Sequence, residues 1–415
     1  MAAGHDTEAR RELDRLFRRE AGRLVATLVK RLGPHHLSLA EDTAQEALTA
    51  AARTWPYDGL PENPAAWLQA TAYRKAIDEL RHIKVAQTAL PELERAAQDT
   101  RPIGQSATDS ELELLFLCCQ PNMAEMDRVA LTLNIAFGFS AREIAQLFYA
   151  TPAAMSARLT RAKERAASVG LSTGTPLGQE AGERMPTVLK VIYLAFSLGY
   201  RPGPGPVAVR EDIALEALRL AQSLALGPWR TDGTCHALAA LLSFQASRLA
   251  TRRDDAGHFT PLAQQDRTRW DKDLIAQGFV HLSRARQTAQ LGRYHIEAGI
   301  AAAHVAGPSV QATDWAQIIA LYETLEVMTG SAIVTLNKAA AIAAAGRAAD
   351  ALNILDELAD HPSMRGNIHY HTARADVLST LGRQQDAKAA FKKARFLPGS
   401  DSDLAYLDGR LAALD

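Results

Sequence analysis

The sequence predicts an all-α protein, and three observations carry that prediction. Of the 415 residues 47% are apolar, Ala and Leu are abundant among them, and β-branched clusters are few, a composition that favours helix. Apolar residues recur at helical spacing through most of the chain. Helix signals punctuate the pattern, with Ser or Thr at starts, Glu three residues later, and Gly or Pro beyond the ends. The length corresponds to two to four domains. The formal net charge is −1, so basic character is local where it occurs.

Cys118, Cys119 and Cys235 form no CxxC pair and no disulfide framework, which fits a reducing cytosol. Cys118-Cys119 could form a redox-sensing pair, but its setting, ELELLFLCCQP, is an apolar helix in which free Cys packs as a small hydrophobe. The charged N-terminus has no apolar signal core, and the longest apolar runs, around 188–200 and 237–244, are too short or interrupted to span a bilayer. The expectation is a cytoplasmic protein without a membrane segment.

Ala9 to Leu32 reads as one amphipathic helix, with Leu13, Leu16, Phe17, Leu24, Leu28 and Leu32 as its stripe and Gly33-Pro34 as its stop. Ser38 reads as the next N-cap, with Glu41 in capping-box register. That helix exposes Glu41, Asp42, Gln45 and Glu46, either an acidic turn complementing the helix dipole or an acidic docking face. Trp55 to Pro64, containing Asn63, reads as a loop. The helix after it turns Leu68, Ala72, Ala76, Ile77 and Leu80 inward, with Tyr73, Arg74, Lys75 and Arg81 on other faces. Aromatic and basic groups beside a polar loop suit single-stranded DNA, where charge meets phosphate and a flat ring meets a base. Trp67 and Ile77 read as core in either case.

Residues 84–108 have weak periodicity, contain Pro91, Pro102 and Gly104, and read as a linker. Two supporting helices follow, before a helix pair over Phe139 to Arg165. Ser140 caps the first helix with Glu143 in register; Thr151 caps the second with Pro152 at its first position. Met155, Leu159 and Ala162 face the core, while Ser156, Arg158, Thr160, Arg161, Lys163 and Arg165 lie opposite. A basic second helix of this kind fits a helix-turn-helix in the DNA major groove; the blander reading is a solvated basic face.

These motifs resemble known ones. AEDTAQEAL is similar to region 2.2 of sigma-70-type sigma factors, which implies that Asp42, Gln45 and Glu46 bind the β′ clamp helices of RNA polymerase core. The loop and helix from Asn63 to Arg81 resemble regions 2.3 and 2.4, which implies that Asn63, Trp67, Tyr73, Arg74 and Arg81 melt and read the −10 element. EIA, a short turn and SARLTRAKER resemble region 4, which implies that Ser156, Arg158, Thr160, Arg161, Lys163 and Arg165 read the −35 element, with the β flap as the region's polymerase contact. Tyr149 stands where many such sequences carry a turn glycine. Regions 2 and 4 alone, over 9–83 and 109–167, define the extracytoplasmic-function class.

Thr173 to Glu183 reads as a connection, and 184–415 as a string of helices. Ala339, Gly346, Ala351 and Leu355 recur 36 residues later as Ala375, Gly382, Ala387 and Phe391, a tetratricopeptide-like period. Such an array presents a surface to a protein partner, and Tyr406, Leu407, Leu411 and Leu414 close its end. In QDRTRWD, Asp266 and Asp271 read either as paired carboxylates or as helix caps, and Arg267 or Arg269 as an anion clamp. Glu297, His304, His369 and His371 form no metal-ligand pattern, and no cofactor motif occurs. QDRTRWD with the helices after it resembles the C-terminal extension of a subgroup of extracytoplasmic-function sigma factors. The expectation is a non-enzymatic sigma factor that engages core polymerase and promoter DNA, regulated in cis by its extension. A helix-turn-helix regulator that does not recruit polymerase, and a helical-repeat scaffold, stand as alternatives.

Overall fold

The computed structural model describes residues 20–82, 106–148, 150–168, 176–200, 210–253, 260–288 and 291–414. Among them the regular elements are helical and no strand occurs, as the composition predicts. The chain forms two compact units, Met1–Ala195 and Phe196–Asp415.

In the first unit α1 spans 20–32; its expected beginning, 9–19, lies outside the described residues. Gly33, at φ 92°, turns the chain into a 3₁₀ turn, Pro34–His36, which feeds directly into α2, Leu37–Asp58. Ser38 is therefore not the cap expected of it: Leu37 N–H donates to Pro34 O, so the entry is satisfied by backbone. Trp55 to Asp58, read as loop, is the last turn of α2, closed by Gly59 N donating to Trp55 O at 3.0 Å. Pro56 is accommodated there near the helix end. α3 follows over Pro64–His82. The expected linker lies outside the described residues except at 106–108, which begin α4, Ser106–Cys118.

α5, Glu125–Phe137, ends on Gly138 at φ 67°, where Gly138 N donates to Asn134 O and Phe139 N to Leu133 O, both at 3.1 Å. This is a glycine C-cap, and a side chain there would be strained. α6, Ala141–Leu147, and α7, Pro152–Ser168, form the helix pair.

The two helix groups of this unit share one core. Leu24, Leu28, Leu37 and Leu68 of α1–α3 belong to the same buried cluster as Leu114, Leu131, Ala162 and Ala166 of α4–α7. At Gly22 the backbones of α1 and α5 meet so closely that a Cβ would lie 2.2 Å from Ala136 O. Arg23 Nε donates to Glu111 Oε1 at 3.1 Å across α1 and α4, with the carboxylate 7% exposed. Cys118 and Cys119 are fully buried; burial pushes the Cys118 thiol well up and the Cys119 thiol up to about 12, so the packing role fits them and the thiolate a sensor needs is absent at neutral pH.

α8, Gly178–Tyr200, begins inside the stretch expected to be a connection, so only its first part can serve as one. The second unit continues with α9, Glu211–Leu226; α10, Gly233–Ala246; α11, Lys272–Ala285; α12, Arg293–Ala306; and α13, Trp315–Thr329. α10 is apolar on every side and buried almost throughout, as a central helix must be. QDRTRWD forms a structural joint. Asp266 caps the turn Arg267–Arg269 through Thr268, and Asp271 caps α11 through Asp273 N and Leu274 N, so the capping reading of these carboxylates is the one realised.

The repeat is visible helix by helix. α14, Ala332–Ala344, and α15, Ala348–Glu357, are followed by the short α16, Pro362–Arg365; α17, Ile368–Thr380, and α18, Gln384–Arg395, then start 36 residues after α14 and α15. Ala339, Ala351 and Leu355, like Ala375, Ala387 and Phe391, are fully buried where the helices touch. Gly346 and Gly382 make the same turn at φ 84° and 75°, with Arg347 N donating to Ile342 O and Arg383 N to Leu378 O. Even the flanking ion pair recurs, as Arg347–Asp350 and Arg383–Asp386. α19, Asp401–Ala412, seals the end with Leu407 fully buried and Tyr406 donating to Asp376.

Candidate nucleic-acid interface

The helix pair is built as its caps dictate. Ser140 N donates to Glu143 Oε2 at 2.8 Å while Glu143 N donates to Ser140 Oγ, a closed capping box. Thr151 Oγ1 accepts from Ala154 N at 3.2 Å and starts α7 at Pro152. Met155, Leu159, Ala162 and Ala166 form the buried line of α7. Tyr149, in the turn, lies outside the described residues.

The six candidates on α7 do not share one environment. Ser156, Thr160 and Arg161 are exposed, and Arg161 reaches only its own helix, donating to Ala157 O at 3.3 Å. Arg158 and Arg165 both approach Asp127 in the first turn of α5, at 3.5 and 3.8 Å, and Arg158 also contacts the Met126 sulfur. Lys163 is paired with Glu41 of α2 at 2.5 Å, their side chains 21% and 14% exposed. Glu41, expected on the open acidic face, is thus turned toward α7. The two carboxylates that hold this basic side, Glu41 and Asp127, were not part of the site read from sequence, because nothing in local spacing connects them to α7.

On α2 the acidic face retains Asp42, Gln45 and Glu46, all exposed. Leu37, Ala40, Ala44, Ala47, Ala51 and Trp55 form the opposite, buried side. Glu46 is paired with Lys75 of α3 at 2.7 Å, whereas the side chains of Asp42 and Gln45 make no hydrogen bond among the described residues.

Around the α2–α3 loop the structure redistributes the roles. Asn63 Oδ1 accepts from Ala66 N at 3.0 Å and so caps α3. Trp67 is half-buried, edge-on to Trp55 with ring centroids 5.4 Å apart. Arg74 and Arg81 are exposed, Arg81 lying 3.5 Å from Asp78. Tyr73 corrects the sequence reading: it is 7% exposed, with the Arg31 guanidinium 5.5 Å from its ring centroid, so its ring does not face solvent. The open aromatic ring is that of Tyr57, 88% exposed at the end of α2 beside the similarly open Leu60. The chemistry expected of an aromatic beside this loop is therefore available, one helix earlier than expected.

Comparison with known proteins agrees with this geometry. The family model described as sigma-70 region 2 matches residues 16–84, the stretch that holds the acidic face, the loop and α3. Residues 16–84 are thus similar to a sigma-70 region 2 domain, which supports a sigma-70 family factor. That domain supports the role of a sigma factor in transcription initiation and implies interaction with RNA polymerase core and promoter DNA. Residues 184–286 match a second model, described as a family of unknown function. An uncharacterized protein of Rhizobium meliloti (strain 1021) is 36% identical over 380 residues, covering 90% of this chain and 89% of that one. The likeness thus runs far beyond region 2, into the helical-repeat half. No solved structure matches. Among the described residues no helix is long and apolar enough to cross a membrane.

Proposed function

We propose that this chain is an extracytoplasmic-function sigma factor with a tetratricopeptide-like extension, acting in the cytoplasm. The observation that carries the reading is the pairing of a region 2 match over 16–84 with a doubly capped helix pair whose second helix presents Ser156, Thr160 and Arg161 to solvent. Asp42, Gln45 and Glu46 dock on the β′ clamp helices; an exposed acidic face suits a docking partner by complementary charge. Arg74 and Arg81 follow the phosphates of the opened −10 strand, Trp67 braces the loop, and Tyr57 supplies the stacking ring. Asn63 acts through the helix start that it caps. Ser156, Thr160 and Arg161 enter the major groove at the −35 element, while Arg158, Lys163 and Arg165 join after exchanging their carboxylate partners for phosphates. The β flap is the polymerase contact of the α4–α7 group.

The extension regulates this activity in cis, and its repeat array is the surface for a protein partner. The test is transcription from a promoter library by core polymerase with the full chain, with a chain ending after Ser168, and with a chain lacking 400–415. Specific transcripts from the full chain and an altered level from the shortened ones support the reading. Absence of any specific transcript refutes the sigma assignment, and identical transcription by all three refutes the regulatory one.

A further inference from the structure

In the second unit two arginines sit on one tryptophan, with no acid paired to either among the described residues. Arg248 follows α10 and is only 8% exposed. Its side chain makes no hydrogen bond among the described residues, and its buried Nε has no partner. The contact it does make is with the Trp270 ring, at 5.8 Å from the centroid. Arg267 lies 5.0 Å from the same ring. It donates to His304 O, Gly307 O and Thr313 Oγ1, all uncharged acceptors that leave its positive charge in place.

The neighbouring groups respond to this positive field. Burial and Arg248 lower the Arg267 pKa; burial, Arg248 and Arg267 together lower that of His304 to about 4, and the buried His304 Nδ1 is itself without a partner. The acids nearest to Arg267 in sequence are engaged elsewhere, Asp266 with Thr268 and Asp271 with the start of α11. Among the described residues no carboxylate pairs with Arg248 or Arg267. The neighbouring rings are held in place, since Trp270 Nε1 donates to Thr251 Oγ1 at 3.0 Å and His304 stands edge-on to Trp315.

A buried charge requires a counter-charge, and an aromatic face supplies only part of one. We propose that Arg248 and Arg267, on the Trp270 indole, form a binding site for a phosphate group. Two guanidinium forks match a tetrahedral dianion, each donating in bidentate fashion, whereas a carboxylate would neutralise only one of them. The phosphate comes either as the free ion or as an ester on a small molecule. The site lies outside every residue assigned to polymerase or promoter, so the proposal stands apart from the sigma reading.

Arg267 also holds three acceptors in place, so the discriminating substitution is at Arg248, whose loss breaks no side-chain hydrogen bond. The full-length protein is titrated calorimetrically with inorganic phosphate and, separately, with a nucleoside monophosphate, at constant ionic strength in chloride. Saturable binding to the wild type is expected, weakened at least tenfold in Arg248→Met and partly retained in Arg248→Lys. Tighter binding of the ester assigns the site to a phosphorylated small molecule, and tighter binding of the free ion assigns it to phosphate itself. Thermal unfolding without phosphate should place Arg248→Met at or above the wild type, since an uncompensated buried charge has been removed. If Arg248→Met does not fold, Arg248→Lys carries the comparison. Equal binding by wild type and variant, or no saturable binding of either probe into the millimolar range, overturns the proposal.

Discussion

Replacing Gly22 by Ala tests the contact between the two helix groups of the first unit. Gly22 lies on α1 and faces α5, where an added Cβ would meet Ala136 O at 2.2 Å and its carbonyl carbon at 3.1 Å. A carbon–oxygen contact settles at about 3.3 Å, so the helices must part by roughly 1 Å. Overpacking of this kind costs about 1–3 kcal/mol, and a value near the top is expected because both sides are backbone. Ala returns about 1 kcal/mol of helix propensity to α1. The net shift of about 2 kcal/mol corresponds to roughly a 30-fold change in the docked population. Because the clash falls between α1 and α5, it loosens the docking rather than either group alone. Lys163 then leaves Glu41 and becomes available to phosphate. Fluorescence energy transfer between dyes on exposed Arg53→Cys and Glu164→Cys reports the separation, and the three buried native cysteines leave labelling selective. Transfer should fall, non-specific DNA affinity should rise, and the salt slope should steepen by about 0.9 for one additional phosphate contact. Unchanged transfer and slope in a folded Gly22→Ala protein would refute the reasoning.

Three further outcomes are expected. Tyr57→Ala should leave thermal stability unchanged but weaken open-complex formation by about 1–3 kcal/mol, the worth of one stacked base; Tyr73→Ala should do the reverse, unfolding at lower temperature, as circular dichroism will show. Asp42→Arg with Glu46→Arg should abolish pull-down of core polymerase while the fold survives, since both residues are exposed and the Lys75–Glu46 pair contributes only ~0.2–1 kcal/mol. Acid should destabilise the second unit: burial, followed by the neighbouring charges, holds His281 and His304 at about 4 in the fold, whereas their unfolded rings protonate near 6.5. The neutral rings belong to the folded state, so stability is intact above pH 6.5 and is lost as pH falls toward 4, by about 3 kcal/mol per fully buried ring and less for a partly exposed one. Denaturant unfolding at pH 7 and pH 4.5 measures this, and the loss should shrink in His281→Phe.

What was legible in the sequence was local. Ser140 with Glu143, and Thr151 with Pro152, are decided within four residues, and the structure places both caps as read. The 36-residue recurrence was legible because each repeat reproduces the same turn glycine and the same small buried residues. Tyr73 shows a different failure. It stands three, four and seven residues before Ala76, Ile77 and Leu80, which is core spacing; its hydroxyl and the neighbouring Arg74 suggested surface, and the helix period prevailed. Ser38 had the right chemistry for a cap, but a 3₁₀ turn had already satisfied the entry to α2. Glu41 and Lys163 were each legible as charged and neither as a pair, since their meeting depends on how α2 packs against α7. The split of the basic side of α7 between solvent and Asp127 was hidden for the same reason.

The recurring turn at Gly346 and Gly382 makes the end of the chain modular. Each copy brings its own left-handed glycine, its own backbone closure from Arg347 or Arg383, and its own arginine–aspartate clasp. A gene duplication inserted between Asn367 and Ile368 would therefore carry every backbone requirement with it, and α19 would seal the lengthened stack as it seals this one. Array length is thus a quantity that inheritance can adjust by whole steps, lengthening the stack without altering a residue of α1–α7.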